Sequence, residues 1–544
     1  MSEKLVVTVN EGKIRGIKQK SVFSGTEYYS FLGVPYGKPP TDVLRFKDPV
    51  KVKPWKDIYD ATVEREGCIQ FSLLTYELIG TEDCLFNNIY TTKLPQNNEA
   101  LMPVIVNIHP GAFSFGSPQT KFYGSPEFIM HNDIVYVCIA YRLHILGFLN
   151  LRLKECSGNQ AVKDIVLSLR WIKNNARSFG GDPDNVTLIG SSSGSALTHM
   201  LMLSPSAKGL FHKAVMMGAH LNNSPAPLQE TNEDHALEIA KQFGYDGSFQ
   251  DNKKILMFLK KLDAVMLIEG CRRCQNTLQE TIAPILPICV FNPTFDRGDI
   301  LPDLPKNLIK TMPRIPIMIG FSQIESIMGF VRAVRPFTEK NFKGSFRQNF
   351  FGWGYHLSND DVQSIYKEVE AFYLESQPVE QAPLSVKMDI QSDVSMFDVY
   401  ETVINPISED LPSSVFVYKF EFEGNIISIN GILNNMIDEP IEGTFHGSDF
   451  SYWNRFGNPK DNKTRKMVET FTQLVTTFAR TGNPNYENFP VKWESSTPEK
   501  PCYLSINNPM VMVDGKLNND RVEFWERIRK KYARSNAEDY VVPS

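Results

Sequence analysis

Cysteine is sparse, with eight in 544 residues. Cys271-Arg272-Arg273-Cys274 has the spacing of half a zinc site, but no second pair completes it and Cys289 stands alone. The pattern therefore implies no metal centre. No stretch reaches eighteen uninterrupted apolar residues, so no helix spanning a bilayer is expected. A net charge of -5 is small for this length and argues neither for nucleic acid nor for an anionic membrane surface as a partner. No internal repeat, block of like charge or Gly/Ser linker divides the chain, which predicts one domain over 1–544. Met1-Ser2-Glu3-Lys4 runs straight into Leu5-Val6-Val7-Thr8-Val9 without an apolar leader and cleavage site, and Val541-Val542-Pro543-Ser544 is not a retention signal. The expected compartment is the cytoplasm, with secretion the alternative if a leader has been trimmed; in the cytoplasm the Asn-x-Ser/Thr triplets opening at Asn185, Asn222 and Asn462 would stay unmodified.

Against these absences stands an ordinary globular composition, 42% hydrophobic and 22% charged. Continuous apolar runs at Val104–Ile108, Ile134–Ala140, Val186–Ile189, Ala214–Met217 and Ile315–Ile319 read as strands buried on both faces, as in a parallel sheet. Helical patterns lie between them. Val162, Ile165, Val166, Leu169, Ile172 and Ala176 form one stripe. Alternating strands and helices predict an α/β fold. A late strand from Val415 to Glu423 carries Phe416, Tyr418, Phe420 and Phe422 on one face. Segments 221–310 and 330–410 read as more helical and are expected to cap the strand ends.

Gly190-Ser191-Ser192-Ser193-Gly194 sits between the strand Val186–Ile189 and a helical stretch, Ala196 to Leu203. A strand turning sharply into a helix at Ser192 lifts its hydroxyl above the sheet edge and crowds the backbone, so glycine is needed two residues to either side. A serine hydroxyl becomes a nucleophile when an imidazole takes its proton and a carboxylate orients that imidazole. His446 occupies a small, turn-rich loop, Gly443-Thr444-Phe445-His446-Gly447-Ser448-Asp449, after the aromatic strand. Glu325 follows Ile315–Ile319 and the turn Gly320-Phe321-Ser322-Gln323. The order serine, acid, histidine is that of the α/β-hydrolases. Donors to an oxyanion are expected from the Ser193 N–H and from Gly111 and Ala112, in His109-Pro110-Gly111-Ala112-Phe113 after an early strand.

With these residues in view, the chain resembles the type-B carboxylesterases, the carboxylesterase/cholinesterase family, over nearly its whole length. The resemblance is carried by Phe31-Leu32-Gly33-Val34-Pro35-Tyr36-Gly37, Pro39-Pro40, Leu44-Arg45-Phe46 and Glu82-Asp83-Cys84-Leu85. Tyr141-Arg142, Gly147-Phe148-Leu149 and Phe179-Gly180-Gly181-Asp182-Pro183 extend it. It implies an α/β-hydrolase fold, a mostly parallel sheet with helices on both faces and helical cap insertions. It further implies Ser192, Glu325 and His446 as the triad, Gly111, Ala112 and Ser193 as oxyanion donors, a Cys68–Cys84 disulfide and no cofactor. Within the family the chain looks most like intracellular insect alpha-esterases. No tryptophan lies between Cys68 and Cys84, where cholinesterases keep the one that binds choline.

Several positions depart from the family pattern. Ser191 and Ser193 flank the nucleophile in place of glutamate and alanine, and Pro110 replaces a glycine. Gly218 stands where relatives place a serine that supports the acid, Ser326 replaces a glycine, and Asn87 an apolar residue.

The implied activity is hydrolysis of uncharged carboxylic esters in detoxification, with organophosphates or pyrethroids among the ligands. Phe113, Phe115, Phe450 and Trp453 are candidates for an apolar pocket, with core packing as the alternative for each. The alternative functions are a hormone or odorant esterase and a non-catalytic binding relative.

Overall fold

The computed structural model describes residues 4–532 except 73–74, 96–99, 222–230, 248–250, 282–289, 297, 327–342, 344–356, 397–398, 412–413 and 428–440. Asn222, Cys289 and parts of segments 221–310 and 330–410 lie outside the described residues.

The strands that build the sheet are β1 (Lys4–Val9), β2 (Gly12–Lys20), β3 (Glu27–Pro35), β4 (Phe86–Thr91), β5 (Met102–Ile108) and β6 (Val135–Ile139). They continue with β7 (Gly181–Ser191), β8 (Lys213–Met217), β9 (Ile317–Ser322), β10 (Val415–Phe420), β11 (Cys502–Ile506) and β12 (Val511–Asp514). Their spatial order is β1-β2-β3-β4-β6-β5-β7-β8-β9-β10-β11-β12, with Tyr59–Asp60 added beside β2. From β6 to β11 every pairing is parallel, and the flanking pairs are antiparallel. The apolar runs read from the sequence thus fall in the parallel centre, where both faces are covered.

Successive side chains on these strands enter different cores, as the two-residue period of a strand demands. Ala214 and Met216 of β8 join one buried cluster, and Val215 and Met217 the other. On β10, Val415 and Val417 point to the first cluster, while Phe416, Tyr418 and Phe420 point to the second together with Phe422.

Helices close both clusters. On one face lie α1 (Gln160–Asn175) and α2 (Ser193–Leu203). Packed in the same cluster are α3 (Glu233–Gln242), α4 (Asn252–Leu259) and α5 (Ala264–Thr281), then α6 (Asn359–Leu374) and α7 (Leu384–Met396), all within the two segments expected to be helical. Cys271 and Cys274 are buried on α5, and no group of three or more potential metal ligands occurs among the described residues.

The opposite face is covered by α8 (Asn462–Thr481). Asp461 caps it by accepting the Thr464 N–H at 2.7 Å, and Gly482 ends it in the left-handed conformation. Met467, Val468, Phe471, Leu474, Val475 and Phe478 are its buried stripe, each side chain contributing about 1.5–3 kcal/mol on removal from water. Helix α9 (Asn519–Tyr532) packs on the body: Phe524 and Trp525 are buried, and Trp525 Nε1 donates to the Tyr373 hydroxyl at 2.9 Å.

Candidate active site

Parallel register brings the carboxyl ends of neighbouring strands to one level. Gly190 of β7 lies opposite Ile108 of β5, Ser191 opposite Met217 of β8, and Met217 opposite Gly320 of β9. Ser192 follows at φ 54°, ψ -125°, an unfavourable conformation for a residue with a β-carbon, and α2 begins at the next residue. The Ser192 N–H donates to the Met217 carbonyl at 2.9 Å, which fixes the turn to the neighbouring strand. A β-carbon on Gly190 would meet the Gly194 carbonyl oxygen at 2.2 Å, and one on Gly194 the Ile108 oxygen at 2.1 Å. The crowding read from the pentapeptide is therefore a crowding of backbone against backbone.

Glu325 and His446 meet beyond the end of β9. Glu325 Oε2 lies 2.5 Å from His446 Nδ1, and Glu325 Oε1 accepts the Ser322 N–H at 2.6 Å. Their two loops are fastened by a parallel bridge between Ile324 and Phe445. Ile324 N–H donates to the Thr444 oxygen at 3.0 Å, and His446 N–H to the Ile324 oxygen at 2.9 Å. Gln323 Oε1 accepts the Thr444 N–H at 2.8 Å. Gly218, the residue after Met217, stands against both side chains: a β-carbon there would lie 3.1 Å from His446 Nδ1 and 3.2 Å from Glu325 Oε2. The Ser192 turn and the Glu325–His446 pair thus share the end of β8.

Burial by itself pulls the His446 imidazole down. The charge of Glu325 and the hydrogen bond to it outweigh burial, Asp449 adds to them, and the net shift is upward. Asp449 is buried, and its carboxyl is pushed up to about 6, chiefly by loss of water. The Tyr418 hydroxyl donates to Asp449 Oδ2 at 2.7 Å. Sequence reasoning passed over Asp449, although its place three residues after the histidine, in the same turn-rich loop, was a usable signal.

The small-residue loop follows β5. Gly111 takes φ +134°, Ala112 +48° and Phe113 +59°. The Gly111 carbonyl accepts both the Ser114 and Phe115 N–H groups at 2.9 Å, and a β-carbon on Gly111 would meet the Phe115 oxygen at 1.8 Å. Pro110 contributes its carbonyl to His109 Nδ1 at 2.8 Å. Gln70 was also missed. Its buried amide closes a ring with Gly116, donating to the Gly116 oxygen at 2.8 Å and accepting its N–H at 2.6 Å. Gln70 lies inside the loop that the Cys68–Cys84 disulfide closes. Nothing in the local sequence marks it, because its partner is 46 residues away.

Of the four aromatic pocket candidates, Phe113, Phe450 and Trp453 are fully buried within the two cores, and Phe115 is half-buried. Trp453 packs edge-on against Tyr136, and its Nε1 reaches the Tyr136 hydroxyl at 3.3 Å.

A parallel-centred sheet with a strained serine turn and an acid–histidine pair at its carboxyl edge is the architecture of an α/β-hydrolase. The chain belongs to the carboxylesterase family, whose model matches residues 3–525, and it is a type-B carboxylesterase and a carboxylic ester hydrolase. Esterase E4 of Myzus persicae is 31% identical over 89% of this chain and 87% of its own length. The juvenile hormone esterase of Tribolium castaneum is 28% identical over 91% of this chain and 87% of its own. Among solved structures, juvenile hormone esterase from Manduca sexta, with OTFP covalently attached, superposes with a TM-score of 0.83 at 27% identity. That superposition covers 97% of this chain and 100% of the other. The substrates are accordingly small-molecule esters. No described helix is long and apolar enough to cross a membrane.

Proposed function

We propose that Ser192, His446 and Glu325 hydrolyse uncharged carboxylic esters through an acyl-enzyme. Ser192 Oγ attacks the ester carbonyl carbon while His446 Nε2 takes its proton. The N–H groups of Gly111, Ala112 and Ser193 receive the oxyanion. The tetrahedral intermediate collapses, the alcohol leaves with the proton from His446, and the acyl group stays on Ser192. Water, deprotonated by His446, attacks that acyl carbon and releases the carboxylic acid. Glu325 holds the imidazole with Nδ1–H towards itself and offsets the positive charge that forms. The observation that supports this most directly is the 2.5 Å contact between Glu325 and His446 beside the end of β8, where Ser192 is tied.

The biological role proposed is detoxification or sequestration of xenobiotic esters, organophosphates and pyrethroids included, by one domain whose helical segments around 221–310 and 330–410 cap the site. Phe115 is the aromatic residue offered to the substrate. Similarity to juvenile hormone esterases supports a second reading, a hormone esterase. The cytoplasmic location expected from the N-terminus conflicts with the Cys68–Cys84 bridge, which favours an oxidising compartment. Cell fractionation together with thiol counting tests the location.

The test of activity is a burst assay with a p-nitrophenyl ester and active-site titration with a fluorophosphonate probe. Wild type is expected to release a stoichiometric burst and carry the label on Ser192, and Ser192→Ala to do neither. Labelling without turnover would turn the role to sequestration. No labelling would overturn the proposed triad. A panel comparing juvenile hormone with 1-naphthyl acetate separates the two substrate readings.

A further inference from the structure

The acid of the proposed triad needs a backbone held as firmly as its carboxylate, because a shift of about 1 Å in a catalytic group costs on the order of a hundredfold in rate. Gly218, the residue just after β8, stands beside it but offers it no side chain. The hold comes instead from α7. Ser392, buried on that helix, accepts the Glu325 N–H at 3.0 Å and the Ser326 N–H at 3.2 Å. Its own hydrogen lies within reach of the Met388 carbonyl, 2.8 Å away and one turn back, and of the Ser326 hydroxyl at 3.1 Å. The Ser326 hydroxyl reaches the same carbonyl at 2.8 Å. A hydroxyl has one hydrogen and two lone pairs, and Ser392 uses all three. Two consecutive backbone N–H groups at the acid therefore depend on one side chain 67 residues away.

The helix that carries Ser392 is itself anchored by the next residue. Asp393 is fully buried and receives the Arg521 guanidinium at 3.1 Å, the Asn518 amide at 3.1 Å and the Tyr373 hydroxyl at 3.0 Å. Arg521 also pairs with Asp389 at 2.9 Å. One turn of α7 thus binds α9 on one side and the loop of the acid on the other.

We propose that Ser392 is a positioning residue, which holds Glu325 against His446 in place of any side chain at position 218. The inference rests on the triad reading above for its effect on rate. Its structural claim concerns only where Glu325 sits relative to the imidazole.

The charged groups acting on His446 are Glu325 from the loop after β9 and Asp449 from its own loop. Loss of the Glu325 contact therefore lowers the imidazole's affinity for a proton. Ser392→Ala is expected to reduce kcat on the order of tenfold with KM little changed, and to move the acid limb of kcat/KM to lower pH. Ser392→Thr, which keeps the hydroxyl, should restore both. If Ser392→Ala does not accumulate folded, Ser392→Cys, with a weak sulfur acceptor, carries the same readouts. The direct probe is the far-downfield proton resonance of His446 Nδ1–H, followed by NMR in the resting protein. It should move upfield or vanish in Ser392→Ala while the melting temperature stays near wild type. An unchanged proton signal and pH profile in a folded Ser392→Ala protein would overturn the proposal. Because the signal does not need turnover, an inactive wild type whose resonance still responds to Ser392→Ala would sink the esterase reading and leave this one standing.

Discussion

Gly218 stands tight against His446: a β-carbon there would lie 3.1 Å from the imidazole Nδ1, so the pair would have to give by a few tenths of an ångström, on a backbone at φ +70°. Gly218→Ser is therefore expected to impair the protein. A non-glycine residue at that φ costs about 1–3 kcal/mol, and the new atom presses on the Glu325–His446 pair. Urea unfolding should show the loss of stability, and p-nitrophenyl ester hydrolysis a fall in kcat. Improved turnover in Gly218→Ser would show that the missing hydroxyl limits the native protein.

The upward shift of His446 fixes the sign of the pH dependence. A general base works when neutral, so activity is present above its pKa and lost as pH falls through it. The acid limb of kcat/KM is expected above the ordinary imidazole value of about 6.5. In Glu325→Gln the raising charge is gone and burial still lowers, so the residual activity should persist to lower pH than in wild type. A limb in Glu325→Gln at the wild-type position would remove Glu325 from the triad.

Gly111→Ala tests the loop after β5. Its β-carbon would meet the Phe115 oxygen at 1.8 Å, so the turn must rebuild. Loss of one oxyanion donor lowers kcat by about 10²–10³. Gln70→Ala acts on the same loop from outside, by freeing both backbone groups of Gly116, and is expected to give a smaller fall in kcat. Single-turnover acylation rates separate the two variants from changes in product release.

Arg142 and Asp164 make a structural prediction. The guanidinium donates twice to the carboxylate, at 2.8 and 2.7 Å, and once to the Lys47 oxygen at 2.8 Å, with both side chains buried. Burial raises the Asp164 carboxyl, and the guanidinium opposes that rise. Arg142→Leu leaves the acid without its partner and should destabilise the fold by about 3–5 kcal/mol in urea titration. A loss below about 1 kcal/mol would mean that water reaches the pair.

The elements that signal locally were legible in the sequence. Val104–Ile108 and Ala214–Met217 lie within β5 and β8, because a strand covered on both faces is mostly apolar, and the one polar residue in the two runs, Asn107, donates to the Tyr123 oxygen at 2.7 Å. The serine turn was legible because Gly190 answers to the Gly194 backbone four residues on, whereas the Ile108 oxygen that crowds Gly194 comes from the neighbouring strand. Glu325 was readable only through chain order, since its contact with His446 spans 121 residues. Gln70 and Ser392 escaped because their contacts depend on how separate segments fold together, whereas Asp449 lay within reach of a local reading, three residues after His446. Phe113, Phe450 and Trp453 show the opposite limit: a pattern of aromatics near a motif does not tell which rings fill the interior.

The Ile324–Phe445 bridge has a consequence for biosynthesis. A ribosome releases the serine turn and the acid well before residue 446 emerges, and no earlier segment can zip the two loops together. A nascent or truncated chain that stops short of Phe445 can fold much of its sheet but has no base beside its acid. Proteolysis between the two loops would not separate them at once, because the bridge joins the fragments without a covalent bond. Nicked protein should therefore keep working until something pries its last third away.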